Sequence, residues 1–350
     1  MSISAFDHPF LSGLLGDEET ARYFSAEADI RAMLRFEAAL AKAEAKHGII
    51  AGDDAERIAN VCASFEPEIV SLKSATATDG VVVPDLVLQL RAAVGGQAAQ
   101  HVHFGATSQD VIDTSLMLRL KGVNLLFAAR LSAIVTALHT LDRQFGTNRM
   151  MGRTRMQAAI PIAVSDRLRS WRDPLIEYGG RLAREIYPVQ FGGAAGTLDK
   201  LGMKAEAVRS TLSQELGLSD KLQWQSQRGK IADIAGLFSL ITSSLGKMGL
   251  DIALLAQAGD ELKLAGGGRS SAMPHKRNPV AAEVLVSLAR FNAVQVSGIH
   301  QSMVHEQERS GAAWTLEWLL LPQMAIACGS ALRLAQRLIE DIDVFGATTR

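Results

Sequence analysis

The chain has 350 residues, 48% of them hydrophobic and only 5% aromatic, with 36 Lys and Arg set against 37 Asp and Glu. A formal net charge of −1 excludes a global field suited to nucleic acid or to an acidic membrane surface, so an anionic ligand needs a local cluster of cations. The two cysteines, Cys62 and Cys328, lie far apart. They exclude a disulfide framework and fit a reducing compartment.

The first twenty residues read as irregular, with Pro9 and Gly13 and no secretory leader. No later run is expected to span a bilayer, and the expectation is a cytoplasmic protein with neither membrane nor nucleic-acid partner. Ser25 is a plausible N-cap for a helix whose Ile30, Met33, Leu34, Ala38 and Ala41 form one apolar stripe ending at Gly48. A short helix follows Asp53-Asp54. Another starts near Pro84, a residue tolerated in the first turn, and runs to Gly95-Gly96. Residues 1–105 thus read as a small helical domain.

From Asp110 to Phe145 the pattern changes to one long helix, apolar on more than one face. Similar patterns cover 160–187, 228–264, 281–310 and 313–341, with a kink expected at Pro174. Five long helices with short connections predict an all-α elongated bundle over 106–341. Apolar surface beyond one stripe predicts a subunit interface. The stretch 191–197 is Gly-rich but lacks the Lys-Ser/Thr of a phosphate loop and reads as a tight turn lining a cleft.

Between the third and fourth of these patterns lies GGGRSSAMPHKRNPV, residues 266–280. Gly and Pro exclude a regular helix there, and the segment reads as a functional loop held by rigid neighbours. Ser270-Ser271-Ala272-Met273-Pro274-His275-Lys276-Arg277-Asn278-Pro279 resembles the signature loop of the fumarase/aspartase superfamily at every fixed position. The resemblance implies a homotetramer with a twenty-helix core, active sites shared by three subunits, a small anionic substrate, and no metal or cofactor. Residues 342–350 are then expected to be the remnant of a third domain that relatives carry.

Residue by residue, the resemblance implies Ser270 as the catalytic base and Lys276 and Asn278 as carboxylate contacts, with Ser271 and Met273 beside them. His103 and the Thr107-Ser108 pair resemble the H-x-G-x-T-S-x-D region of the lyases. There the histidine lies in the active site and the hydroxyls bind substrate carboxylate. Helix capping by Ser108 or Asp110 is the plainer reading of that stretch, and His101 reads as structural. Arg153, Arg155 and Gln157 lie in a stretch similar to G-R-T-H-x-Q-x-A-x-P, where Arg155 replaces the lyase histidine. A guanidinium does not shuttle protons but binds an anion bidentately. Arg228 resembles a substrate-reaching arginine, or else caps a helix. Arg309 and Trp314 lie in a region that looks like the cycloisomerase branch, with core packing the alternative for Trp314. Taken together, these versions resemble the branch that closes 3-carboxymuconate to a lactone. A β-eliminating lyase of the adenylosuccinate type and a non-catalytic relative are the alternatives.

Overall fold

A computed structural model describes residues 4–347. Two short helices, α1 (Ser12–Leu15) and α2 (Glu18–Arg22), stand where the sequence reads as irregular. Then come α3 (Ala26–Lys46), α4 (Gly52–Ser64), α5 (Ile69–Asp79) and α6 (Val83–Val94). Ser25 caps α3 as expected, its hydroxyl accepting the Ala28 amide at 3.2 Å. The long helix α7 (Ser108–Phe145) leads into a hairpin of β1 (Arg149–Thr154) and β2 (Gln157–Ala163), followed by α8 (Val164–Ala183). The helix expected from residue 160 therefore starts four residues later, and it continues through Pro174.

After α9 (Ala205–Leu216) comes α10 (Gly229–Ala258), then the short strands β3 (Leu262–Leu264), β4 (Gly268–Arg269) and β5 (Arg277–Asn278). The chain closes with α11 (Val280–Gln301), α12 (Gly311–Glu340) and β6 (Ile342–Phe345). β4 and β5 pair with each other, while β6 pairs with β3. The residues expected to be a domain remnant thus begin with a strand that closes the bundle end.

Helices α7, α10 and α12 run in one direction, and α8 and α11 run back. Arg228, just before α10, reaches both Asp113 near the start of α7 and Glu317 near the start of α12. Phe127 and Phe238 meet edge-on farther along, with centroids 5.3 Å apart. At the other end Glu261 binds the β1 backbone and Arg153. Antiparallel α10 and α11 approach closely because Gly246 and Gly249 have no side chains; a Cβ there would lie 2.5 Å from Ala289 Cβ and 2.7 Å from Ala282 O.

Two apolar cores result. One fills the bundle, from Leu116 and Phe127 through Ile241 and Leu285 to Ala331. The other joins α3, α4 and α6 to Val189, Phe191, Leu201, Val208 and Leu212. The connection carrying α9 therefore packs on the N-terminal helices, although it lies within 106–341 in sequence.

Four helices, α7, α10, α11 and α12, are long and apolar enough to cross a bilayer by length and composition. This corrects the sequence expectation that no run reaches that length. Packing accounts for part of their apolarity. Of the most apolar windows, 61% is buried in α12 but only 28% in α11. A broad face of α11 is thus left unpartnered among the described residues.

Candidate active site

The sequence-predicted site residues fall into two groups at opposite ends of the bundle. The first surrounds the N-terminus of α7. Thr107 N-caps the helix in a capping box with Asp110, and its amide donates to the Asp110 carboxylate at 3.1 Å. The same carboxylate accepts the Gly192 and Gly193 amides, both at 2.9 Å, and Gln190 Nε2 at 3.1 Å. Gly193 has φ +67, and only a residue without Cβ fits against Gly105 O there. Burial lifts the Asp110 carboxyl to about 6, against the pull of these four donors. The capping reading thus holds for Asp110. The Thr107 amide and the amides of the Gly-rich turn are thus organised around this buried side chain.

His103 stands beside this turn with φ +63, a strained conformation for a non-glycine residue. Its Nδ1 lies 2.7 Å from Glu37 Oε1 on α3. Burial opposes the imidazolium most strongly, but the charge and hydrogen bond of Glu37, together with the Asp110 charge, raise the His103 pKa overall. His101 faces away from this centre, 3.4 Å from Asp54. Arg309 reaches in from the α11–α12 connection, its Nε donating to Gln109 Oε1 at 2.9 Å and its Nη2 to Ala194 O at 3.3 Å. Thr107, Ser108, His103 and Arg309 therefore border one partly exposed surface.

Beneath it lies a buried ionic cluster. Arg228 pairs with Asp113 and with Glu317, each at 2.6 Å, and all three side chains are at most 1% exposed. Trp314 Nε1 donates to Asp113 Oδ1 at 3.1 Å, and Gln109 Nε2 to Asp113 Oδ2 at 3.1 Å. Burial lifts the Asp113 pKa, while Arg228 hydrogen bonds hold Glu317 below its usual value despite burial. Arg228 and Trp314 were expected at the substrate. Both instead turn their donors inward onto Asp113, which also accepts Gln109 Nε2, and Gln109 in turn holds Arg309. Removing Arg228 leaves two buried carboxylates uncompensated. Arg228→Met is expected to cost about 3–5 kcal/mol, read as a lowered denaturant midpoint with an unchanged slope. An unchanged midpoint would show the cluster to be energetically idle.

The second group lies at the far end. α7 has 38 residues, which places the β1–β2 hairpin roughly 55 Å from Thr107. The hairpin register sets Thr154 opposite Gln157, leaving Arg155 and Met156 as a two-residue turn. Both have positive φ, +47 and +66, where Asn and Gly are usual. Such strain at an apex of two bulky residues points to function. Arg153 is braced by Glu261 at 2.7 Å. Arg155 makes no hydrogen bond or ion pair among the described residues. It lines a cavity of about 330 Å³ with Arg167, Asp251 and Leu254. Gln157, Ile160 and Met156 are exposed.

The signature loop lies at the same end, connecting α10 to α11 through the β4–β5 ribbon. Ser270 Oγ accepts the Met273 amide at 3.0 Å and the Ala272 amide at 3.4 Å. Two amides on one hydroxyl oxygen favour its anion. Ser271, Met273 and Lys276 are exposed, and Asn278 is half-buried in the ribbon. Sequence reasoning missed Glu37 and Asp113, each of which sits within a long helical pattern, and noted Glu317 only as part of the stretch around Trp314.

The family described as lyase matches residues 11–298. The chain is 37% identical to the 3-carboxy-cis,cis-muconate cycloisomerase of Pseudomonas aeruginosa, over 92% of this chain and 72% of that protein. It is also 37% identical to the enzyme of the same name from Pseudomonas putida, over 93% of this chain and 80% of that one. The crystal structure of 3-carboxy-cis,cis-muconate lactonizing enzyme from Pseudomonas putida superposes with a TM-score of 0.88 at 34% identity, covering 96% of this chain and 77% of that chain.

Proposed function

The chain belongs to the lyase family of the fumarase/aspartase superfamily, and on that premise we propose that it is a cycloisomerase closing 3-carboxy-cis,cis-muconate, or its 3-sulfo analogue, to a muconolactone. The observation that carries this reading is the likeness to cycloisomerases over nearly the whole chain. Ring closure forms one C–O bond, from a substrate carboxylate oxygen to an alkene carbon, and one C–H bond at its neighbour. The carboxylate that becomes the lactone loses its charge, so each turnover takes up one proton from solution.

In this reading Ser270 gives its proton to carbon, and the Met273 and Ala272 amides stabilise the alkoxide it leaves. Lys276, Asn278, Thr107, Ser108 and Arg309 hold the carboxylates and the charge that develops on them. Ser271, Met273 and Gln157 line the same space, and Arg155 clamps the third acidic substituent. Arg153 acts through Glu261 to hold the hairpin. The separation of roughly 55 Å within one chain leaves these groups to meet only across subunits. The exposed hairpin and the unpartnered α11 face favour a homotetramer in which each site draws on three chains.

The test is an ultraviolet assay coupled to a pH-stat. Expected is loss of diene absorbance with 3-carboxymuconate or 3-sulfomuconate, one proton consumed per diene, and no cleavage of adenylosuccinate. No reaction with either muconate, or release of fumarate from adenylosuccinate, would overturn the proposal. Comparing the two muconates decides between carboxylate and sulfonate.

A further inference from the structure

The N-terminal helix α3 carries two buried carboxylates on one face, two turns apart, Glu37 and Glu44, at 2% and 0% exposure. Neither belongs to the residues that the reaction as written requires. Glu37 Oε1 is 2.7 Å from His103 Nδ1, and among the described residues its Oε2 has no partner. Among the same residues, both buried Glu44 oxygens lack a hydrogen bond. We propose that Glu37 is a positioning residue, which keeps the His103 proton on Nδ1 and turns Nε2 toward substrate as a charged hydrogen-bond donor. This rests on the cycloisomerase reading only in assigning the anion that Nε2 meets.

The geometry argues for this role in three ways. An imidazole has two nitrogens, and the partner of one decides what the other offers. Glu37 occupies Nδ1, while Nε2 has no hydrogen bond among the described residues and is not a buried unsatisfied atom. Next, His103 is held at φ +63. A purely structural ion pair has no need of a strained backbone, whereas aiming a ring at a ligand does. Last, the buried acidic neighbours of the pair on α3 and α4 carry no competing charge. Burial first, and then the Glu37 charge, push the Glu44 carboxyl up to about 9, so it is neutral at physiological pH. Cys62 on α4, pushed up to about 12 by burial, is neutral as well. Facing His103, Asp110 on α7 adds to the Glu37 attraction and Arg91 on α6 opposes it.

The sign follows from those partners. A histidine raised by a carboxylate stays protonated to higher pH, so the donor at Nε2 is present below the raised pKa and is lost as pH climbs through it. With Nε2–H gone, a substrate carboxylate would meet a lone pair. The alkaline limb of kcat/KM therefore reports the Glu37–His103 pair, provided the substrate is an anion bound there.

The test uses the full chain with carbon-13 histidine labelling, the His103 signal assigned by its loss in His103→Gln. Glu37→Gln keeps an oxygen for Nδ1–H but removes the charge. Expected is a fall in the His103 titration midpoint by about one to three pH units, with the alkaline limb of kcat/KM falling by a matching amount. Glu44→Gln, which replaces a group already neutral, should shift neither. An unchanged His103 midpoint in Glu37→Gln overturns the proposal. So does a lowered melting temperature with an unmoved pH profile, which would make Glu37 a brace only. If the wild type turns over neither muconate, the cycloisomerase reading has failed, and the nuclear magnetic resonance titration still decides whether Glu37 sets the charge of His103.

Discussion

Ser270→Ala is expected to fold and assemble like the parent yet lose turnover by about a thousandfold, the usual scale for removing a positioned proton-transfer group. The hydroxyl accepts two backbone amides, from Met273 and Ala272, in an exposed loop that makes few other contacts. Truncation should therefore leave the melting temperature unchanged. Ser271→Ala, with an exposed hydroxyl and no such donors, should be much milder. The larger consequence concerns assembly. Ser270 and His103 lie at opposite ends of a bundle whose longest helix has 38 residues. If each site takes them from different chains, Ser270→Ala and His103→Ala subunits complement each other. Unfolding and refolding the two variants together should recover activity at least about tenfold above either alone, since a restored site regains the full proton-transfer term. Refolding each variant separately is the control. Failure to complement, or a monomer by light scattering at micromolar concentration, would remove the shared-site arrangement.

Arg155→Met should lower kcat/KM by roughly 30- to 1000-fold, equivalent to about 2–4 kcal/mol for an anion left unpaired in a closed site. Arg155→Lys keeps the charge but loses the planar fork, and should weaken binding moderately. The rival role, bracing the hairpin, falls in this structure to Arg153, which holds Glu261 at 2.7 Å. Arg155 itself occupies a turn position with φ +47, where its side chain costs backbone energy. Arg155→Asn suits that conformation better and removes the cation. It should keep or raise the melting temperature while lowering kcat/KM about as much as Met does. A fall in melting temperature with an unchanged Michaelis constant would reverse this assignment. Arg155→His restores the residue that lyases carry, without a purine pocket, and should not create adenylosuccinate cleavage.

The all-α class, the five long helices and the family were legible in the amino-acid order alone. Helical periodicity is a local property, and the ten-residue loop from Ser270 to Pro279 is contiguous, so neither needs tertiary contacts to be read. The cap at Ser25 was legible for the same reason. The β1–β2 hairpin was not, because Arg155-Met156 has none of the Asn or Gly that marks a two-residue turn, and Ala158 to Ile162 continues smoothly into an apolar helical pattern. The role of Arg228 emerges from packing. A buried guanidinium between Asp113 and Glu317 depends on three helices meeting at one level, and no spacing along the chain encodes that. The partner of His103 is 66 residues away on another helix, and an acidic residue on α3 carries no sign of it. The wide separation of the site groups was likewise invisible in the motifs. It follows from α7 being one uninterrupted helix, whose length sets His103 and Arg155 apart and makes a second chain the nearest source of what each lacks.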